Sequence, residues 1–332
     1  MKRKLAFLLM LCFGWSFFLN GCGGTLPKTD DRLQVVCTIF PEYDWARQLT
    51  QGVDNVDLTL LVKNGTDLHS YQPSVRDIAI IARADVFCYV GGVSDTWVNG
   101  VLDTTENRTA QLVSMAEAAD ADEEVLAEGM QAEHEHEHEH DHHDDESDSH
   151  EEPPELDEHV WLSLRRAALA CTAMKEALCK ADPAHEDIYN QNCTDYLQKL
   201  QELDSDFTEM TSQAARDTIV VADRFPFRYL AEDYGLTYYA AFPGCSAETE
   251  ASFETIVFLS EKVESLHLPC VLVTEGSNSS LAKTILESAG SDGKILTLQS
   301  LQAVSQKEID TGVTYLSKMQ ENYDVLKQAL NS

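Results

Sequence analysis

Residues 32–62 read RLQVVCTIFPEYDWARQLTQGVDNVDLTLLV, and the changes of rhythm inside this stretch decide the fold. RLQVVCTIF is a short run rich in β-branched and apolar residues, EYDWARQLTQ has helical character, and NVDLTLLV returns to the strand-like pattern. The alternation continues with SVRDIAIIARA as a helix and DVFCYVGG as a third strand. Short β-rich runs alternating with helices are the signature of parallel sheets covered by helices, so this part of the chain is expected to form one α/β lobe.

Further along, LRRAALACTAMKEALCK is a helical stretch, and in the segment Asp187 to Ser212 the apolar residues Leu197, Leu200, Leu203, Phe207 and Met210 recur at intervals of three and four. Such spacing predicts one long amphipathic helix. A second alternation follows: DTIVVAD, PFRYLAEDYG, LTYYAAF, ASFETIVFLSEKVESLH, CVLVTEG, SLAKTILESAG and KILTL, with a last helix from Tyr315 to Leu330. The expected architecture is therefore α/β with two lobes, each a parallel sheet flanked by helices, joined by one long helix. The boundaries fall at 33–184 for the first lobe, 185–215 for the linking helix and 216–332 for the second lobe. Chains of this size usually divide in this way.

The amino end carries Lys2, Arg3 and Lys4 ahead of an apolar run from Leu5 to Leu19. That run is shorter than the ~18–20 residues of a membrane span and reads as a secretory signal over residues 1–21. It ends in Leu19-Asn20-Gly21-Cys22, which resembles the lipobox of bacterial lipoproteins. Cys22 is expected to carry lipid, residues 22–32 to form a tether, and the protein to sit on the outer face of the cell membrane. Seven further cysteines follow without any C-x-x-C pair, several of them in apolar strand-like runs, so they are expected to act as small buried hydrophobes rather than as a disulfide framework.

The chain has a formal net charge of -33, which argues against nucleic acid as a partner, since phosphate neutralisation takes clustered Lys and Arg. The acidity is concentrated: Glu117 to Glu158 holds 20 acidic residues and no Lys or Arg. This insert, residues 117–156, also holds seven of the eleven histidines: His134, His136, His138, His140, His142, His143 and His150. His134, Glu135 and His138 fit H-E-x-x-H, but that motif needs a helix pinned by apolar neighbours, which are missing here. The match is read as accidental. The segment is expected to be disordered, with many weak, exchanging chelation sites.

Ligands of open α/β lobes bind at the carboxyl ends of the parallel strands. His69 lies in the loop after DLTLLV, Asp223 ends TIVVAD, Glu275 ends CVLVTE, and His159 follows the insert. Two imidazoles and two carboxylates make a four-ligand set for a divalent ion.

Over nearly the whole chain after the signal, TIFPEYDWARQLTQG, LLVKNGTDLHSYQPSVRDIAIIARADVFCYVGG, LDEHVWLSLRRA, AEDYGL and VLVTEGSNSSLAKTILESAG resemble the solute-binding lipoproteins of zinc and manganese ABC transporters. The resemblance implies one histidine ligand in DLHSYQP, at His69, another in DEHVWLS, at His159, and an acidic ligand at Glu275. It implies Zn2+ as the transported ion, with Mn2+ as the alternative, a membrane permease as partner, a monomer and no enzymatic activity. A His-rich acidic loop between the first two histidines is common in the zinc-selective members. The rival readings are a manganese or iron receptor of the same family, a surface metal buffer or adhesin, and a secreted zinc hydrolase, against which stands that the only H-E-x-x-H lies in the low-complexity run.

One position departs from the family pattern. A third histidine, or a Glu in manganese members, is usual some ten residues before the Tyr-Gly-Leu that is here Tyr234-Gly235-Leu236, and an ungapped register places Arg224 there. A guanidinium stays protonated and cannot ligate a cation. Asp223 is the expected substitute, with Cys245, Glu248 and Glu250 of GCSAETEAS in reserve. Charge balance favours two anions beside two neutral imidazoles, and a Cys among them would tilt the site toward zinc.

Overall fold

The computed structural model describes residues 32–63, 65–104, 109–130, 156–246 and 250–332. The signal, Cys22, the seven histidines from His134 to His150, and Glu248 lie outside the described residues. Residues 33–332 form one compact unit.

The first lobe runs β1 (Leu33–Cys37), α1 (Phe40–Leu49), β2 (Val56–Leu60), α2 (Val75–Ile81), β3 (Val86–Tyr89), α3 (Trp97–Thr104), β4 (Gln111–Ser114) and α4 (Met115–Ala118). After α5 (Leu164–Ala181) comes the long helix α6 (Glu186–Ser212). The second lobe runs β5 (Thr218–Phe225), α7 (Arg228–Asp233), β6 (Thr237–Pro243), α8 (Phe253–Ser265), β7 (Cys270–Thr274), α9 (Ser280–Ser288), β8 (Lys294–Leu298), α10 (Gln306–Asp310) and α11 (Tyr315–Asn331).

Each lobe has a four-stranded sheet, in the orders β2-β1-β3-β4 and β6-β5-β7-β8. All strand pairs within them are parallel. The inner strands β1, β3 and β7 are consequently near-continuous apolar runs, as strands covered on both faces require. Val35, Cys37, Val86, Val221 and Leu272 are all buried. β4 has no counterpart among the strands expected from the sequence, because QLVS is too short to show a pattern.

The linking helix buries Tyr189, Cys193, Tyr196, Leu200, Leu203, Phe207 and Met210, a stripe with the three-and-four spacing read from the sequence. It packs on α1 and α5 of the first lobe and on α11 of the second. Phe207 stacks on Tyr234 at 4.8 Å between ring centroids and meets Tyr323 edge-on at 5.3 Å. Each fully buried side chain of this kind contributes about 1.5–3 kcal/mol.

One apolar core, which includes Trp45, Phe207, Leu272 and Tyr315, spans both lobes. Buried hydrogen bonds reinforce it: the Trp161 indole donates to the Ser300 carbonyl (2.8 Å), the Tyr315 hydroxyl to the Trp161 carbonyl (2.6 Å), and the Tyr315 amide to Asp44 (2.7 Å). Among the described residues no helix is long and apolar enough to cross a membrane, and the seven cysteines present are free.

Candidate metal centre

The carboxyl end of β2 leads into a 3-10 turn, Leu68–Ser70, whose cap Asp67 accepts the His69 amide at 3.0 Å. Leu68 is fully buried and anchors the turn. His69 is thereby held with its Nδ1 2.8 Å from the Ser94 hydroxyl. Ser94 stands on the turn Val93–Asp95 after β3 and in turn bonds Glu158 through both its amide, at 3.0 Å, and its hydroxyl. The self-consistent assignment is a relay in which His69 Nδ1–H donates to Ser94 Oγ and Ser94 Oγ–H donates to Glu158.

His159 is fully buried just ahead of the turn Val160–Leu162. Its Nδ1 lies 2.8 Å from Asp157 Oδ1, which also accepts the His159 amide at 3.1 Å. The carboxylate fixes the proton on Nδ1 and leaves Nε2 with a free lone pair, the arrangement by which outer groups orient metal-binding imidazoles. In both rings Nε2 is buried without a hydrogen-bond partner among the described residues. A buried polar atom left unsatisfied costs about 1–3 kcal/mol, so each of the two calls for a partner.

The place is shared. One ligand atom from each of His69, Glu158, His159 and Cys245 lies within 4.8 Å of all the others, and the two imidazole centroids are 5.5 Å apart. Two glycines make the approach possible. At Gly92 an added Cβ would stand 2.2 Å from Glu158 Oε2, and at Gly244 it would stand 2.8 Å from His159 Cε1. Gly244 therefore lets the loop after β6 bring Cys245 down onto His159.

The electrostatics suit a cation. Burial pushes the Cys245 thiol well above its ordinary range, and the carboxylates of Glu158, Glu124 and Asp157 push the same way. Burial raises the Glu158 carboxyl. It lowers the His69 imidazole to about 4, with the neighbouring His159 adding to the effect. Burial also pulls on His159, but the hydrogen bond and charge of Asp157 hold that ring above its usual value.

Of the four residues expected as ligands, the structure brings together His69 and His159 and places the two carboxylates elsewhere. Asp223 lies where β5 shifts register between Val221 and Arg224. Its Oδ2 accepts from the Thr274 hydroxyl at 2.6 Å and its Oδ1 from the Arg224 amide at 2.9 Å. Glu275 accepts the Ser300 amide and hydroxyl, both at 2.6 Å. Both carboxylates line a neighbouring cleft of about 370 Å³ at the strand ends of the second lobe, and neither joins the four-residue group. Their hydrogen bonds tie β5 to β7 and the loop after β7 to the loop after β8.

Arg224 reaches across to the first lobe, donating to Asp67 at 2.9 Å, and so braces the turn that carries His69. Glu250 is described but stands outside the group. Cys245, a reserve candidate, is inside it. Glu158 was missed altogether, because beside His159 it reads as the last acid of the insert.

The family profile described as ZnuA, zinc-uptake complex component A periplasmic, matches residues 35–329. The zinc-binding lipoprotein AdcA of Streptococcus pneumoniae is 31% identical over 99% of this chain, which spans only 61% of that relative's length. The high-affinity zinc uptake system protein ZnuA of Bacillus subtilis is 30% identical, over 98% of this chain and 96% of its own. The crystal structure of the Zn(II)-bound ZnuA-like domain of Streptococcus pneumoniae AdcA superposes with a TM-score of 0.68 at 28% identity, covering 91% of this chain and all of that domain. With a profile match over most of its length and a relative aligned nearly end to end, the chain belongs to the ZnuA family of periplasmic zinc-uptake components.

Proposed function

We propose that this protein is an extracytoplasmic receptor that captures Zn2+ and hands it to the permease of an ABC transporter. The observation that carries the reading is the pair of buried, unpartnered Nε2 atoms of His69 and His159 beside a thiol and a carboxylate. His69, His159, Cys245 and Glu158 would hold the ion as a closed four-coordinate set. Two neutral imidazoles, a thiolate and a carboxylate cancel the charge of a divalent ion. A thiolate among imidazoles selects zinc over manganese, which prefers oxygen donors. A closed set also leaves no coordination position for an activated water, which a zinc hydrolase would need, so the protein acts by binding and not by catalysis.

The names of the AdcA and ZnuA relatives support zinc as the cargo. In this reading Cys22 carries the lipid that holds a monomeric receptor at the outer face of the membrane, and His134 to His150 collect ions for the site. Asp223 and Glu275 are assigned to the architecture of the cleft.

A competitive zinc titration tests the reading. Wild type should show one tight phase, and His69→Ala, His159→Ala and Cys245→Ser should each abolish it, while removing residues 133–152 should spare it. A tight phase that survives all three single substitutions would overturn the assignment.

A further inference from the structure

The residues between α4 and the His-rich stretch belong in sequence to the first lobe, yet they are fastened onto the second. The Asp122 amide donates to the Tyr229 hydroxyl at 2.9 Å, Arg228 donates to the Glu123 carbonyl, and Lys262 pairs with Glu128 at 3.4 Å. Gly129 lies so close to Phe258 that a Cβ there would stand 2.2 Å from the ring. The returning chain is stitched to the same strap: Leu156 bridges Glu123, and the Asp157 amide donates to the Asp122 carbonyl at 2.9 Å. The strap is thereby joined to Asp157, two residues ahead of His159.

Within the strap, Glu124 faces the metal cluster. Its Oε1 accepts the Cys245 amide at 3.4 Å, which sets the carboxylate beside the ligand-bearing loop. Glu158 and His159 are fully buried, whereas His69 and Cys245 are partly exposed. An ion must therefore arrive along one of those two flanks. On the His69 flank the carboxylate of Asp67 is already paired with the Arg224 guanidinium at 2.9 Å. The Cys245 flank carries Glu124.

We infer that Glu124 is the entry carboxylate of the site: it draws the divalent ion in past Cys245 and passes it to the buried imidazoles without staying bound. The inference rests on the receptor reading above. A charge at the mouth of a site accelerates capture through the local field, and this effect weakens as salt rises.

The test is stopped-flow association of Zn2+ with the full chain, followed by the fluorescence of Trp161, whose ring centroid is 5.1 Å from that of His159. Glu124→Gln should slow association about tenfold at low salt, lose most of the salt dependence and leave dissociation unchanged. Glu124→Asp should recover most of the rate. Glu128→Gln, on the same strap but paired with Lys262, should associate like wild type. The inference falls if Glu124→Gln associates at the wild-type rate, if Glu128→Gln slows it equally, or if Glu124→Gln speeds dissociation with association unchanged, which would make Glu124 a resident ligand. Failure of the receptor reading would show separately, as a wild-type chain that takes up no zinc.

Discussion

The two lobes repeat one sheet order, yet they contribute to the cluster unequally. The first lobe and the segment after the insert bring His69, Glu158 and His159: His69 donates to Ser94, Glu158 accepts from Ser94 and His159 donates to Asp157. The second lobe brings Cys245 alone, on a loop opened by Gly244. Its own strand-end carboxylates, Asp223 and Glu275, are occupied by Thr274 and Ser300. A strand end is therefore only a place where a ligand can stand. Hydrogen bonding does not decide which carboxylate joins the cluster, since Glu158 accepts from Ser94 as fully as Glu275 does from Ser300; what decides is whether the loops bring other ligand atoms within reach, as they do around Glu158.

The largest effects should come from removing one proposed ligand of each lobe. Cys245→Ser and His159→Ala should each weaken zinc binding by more than the ~10–100-fold typical of changes in outer groups, as read by competition with a chelating dye. If Cys245→Ser kept wild-type affinity, the second lobe would contribute nothing to the site. The next effect in size concerns orientation. Asp157→Asn retains the shape but loses the charge that fixes the His159 tautomer, and should cost about 10–100-fold in affinity. Circular dichroism should show the fold unchanged.

Proton release also distinguishes Cys245 from the two histidines. The Cys245 thiol is raised by burial and surrounding carboxylates, so at neutral pH it holds a proton that zinc must displace. His69, lowered to about 4, stays neutral over the working range and releases none. His159 is held above its usual value by Asp157 against the effect of burial, so it binds a competing proton as pH falls through its raised pKa. Affinity should therefore fall with falling pH, by about tenfold per unit for one proton displaced and more steeply on the acid side. Calorimetry at pH 8 in buffers of differing ionisation enthalpy should find about one proton released per ion, and none in Cys245→Ser.

Much of this was legible in the sequence, and the parts that were not have physical reasons. The alternation from Leu33 to Gly92 and from Asp217 to Leu298 marks local strand and helix periods, which any fold containing them must express. The helix from Glu186 to Ser212 announced itself through its apolar stripe. His69 and His159 stood out through their placement together with other chelating residues at or near strand ends, and through DLHSYQP and DEHVWLS, the phrases that carry the family resemblance. Glu158 was hidden by its acidic neighbours. Cys245 was visible only as an alternative, since nothing local shows that Gly244 lets it reach His159. The roles of Asp223 and Glu275 depend on Thr274 and Ser300, partners 51 and 25 residues away, and sequence spacing carries no trace of such pairings.

The smallest effect on metal belongs to those two carboxylates, and it separates the lobes most cleanly. Asp223→Asn and Glu275→Gln change no member of the four-residue cluster, so zinc affinity should move by no more than a few-fold. Their cost should appear in stability. Asp223 accepts a hydroxyl and an amide across β5 and β7, and Glu275 accepts both polar groups of Ser300. An amide in either place keeps one acceptor oxygen but sets an NH2 against a donor, a mismatch of about 1–3 kcal/mol for a buried pair. Burial already raises Glu275 against the pull of its Ser300 hydrogen bonds, so its Gln variant loses less charge stabilisation than a freely ionised acid would. Chemical denaturation should thus rank Asp223→Asn below wild type in midpoint while zinc titration places the two together. The opposite pattern, an intact midpoint with lost zinc, would return Asp223 to the metal and remove the distinction between the two halves of the cleft.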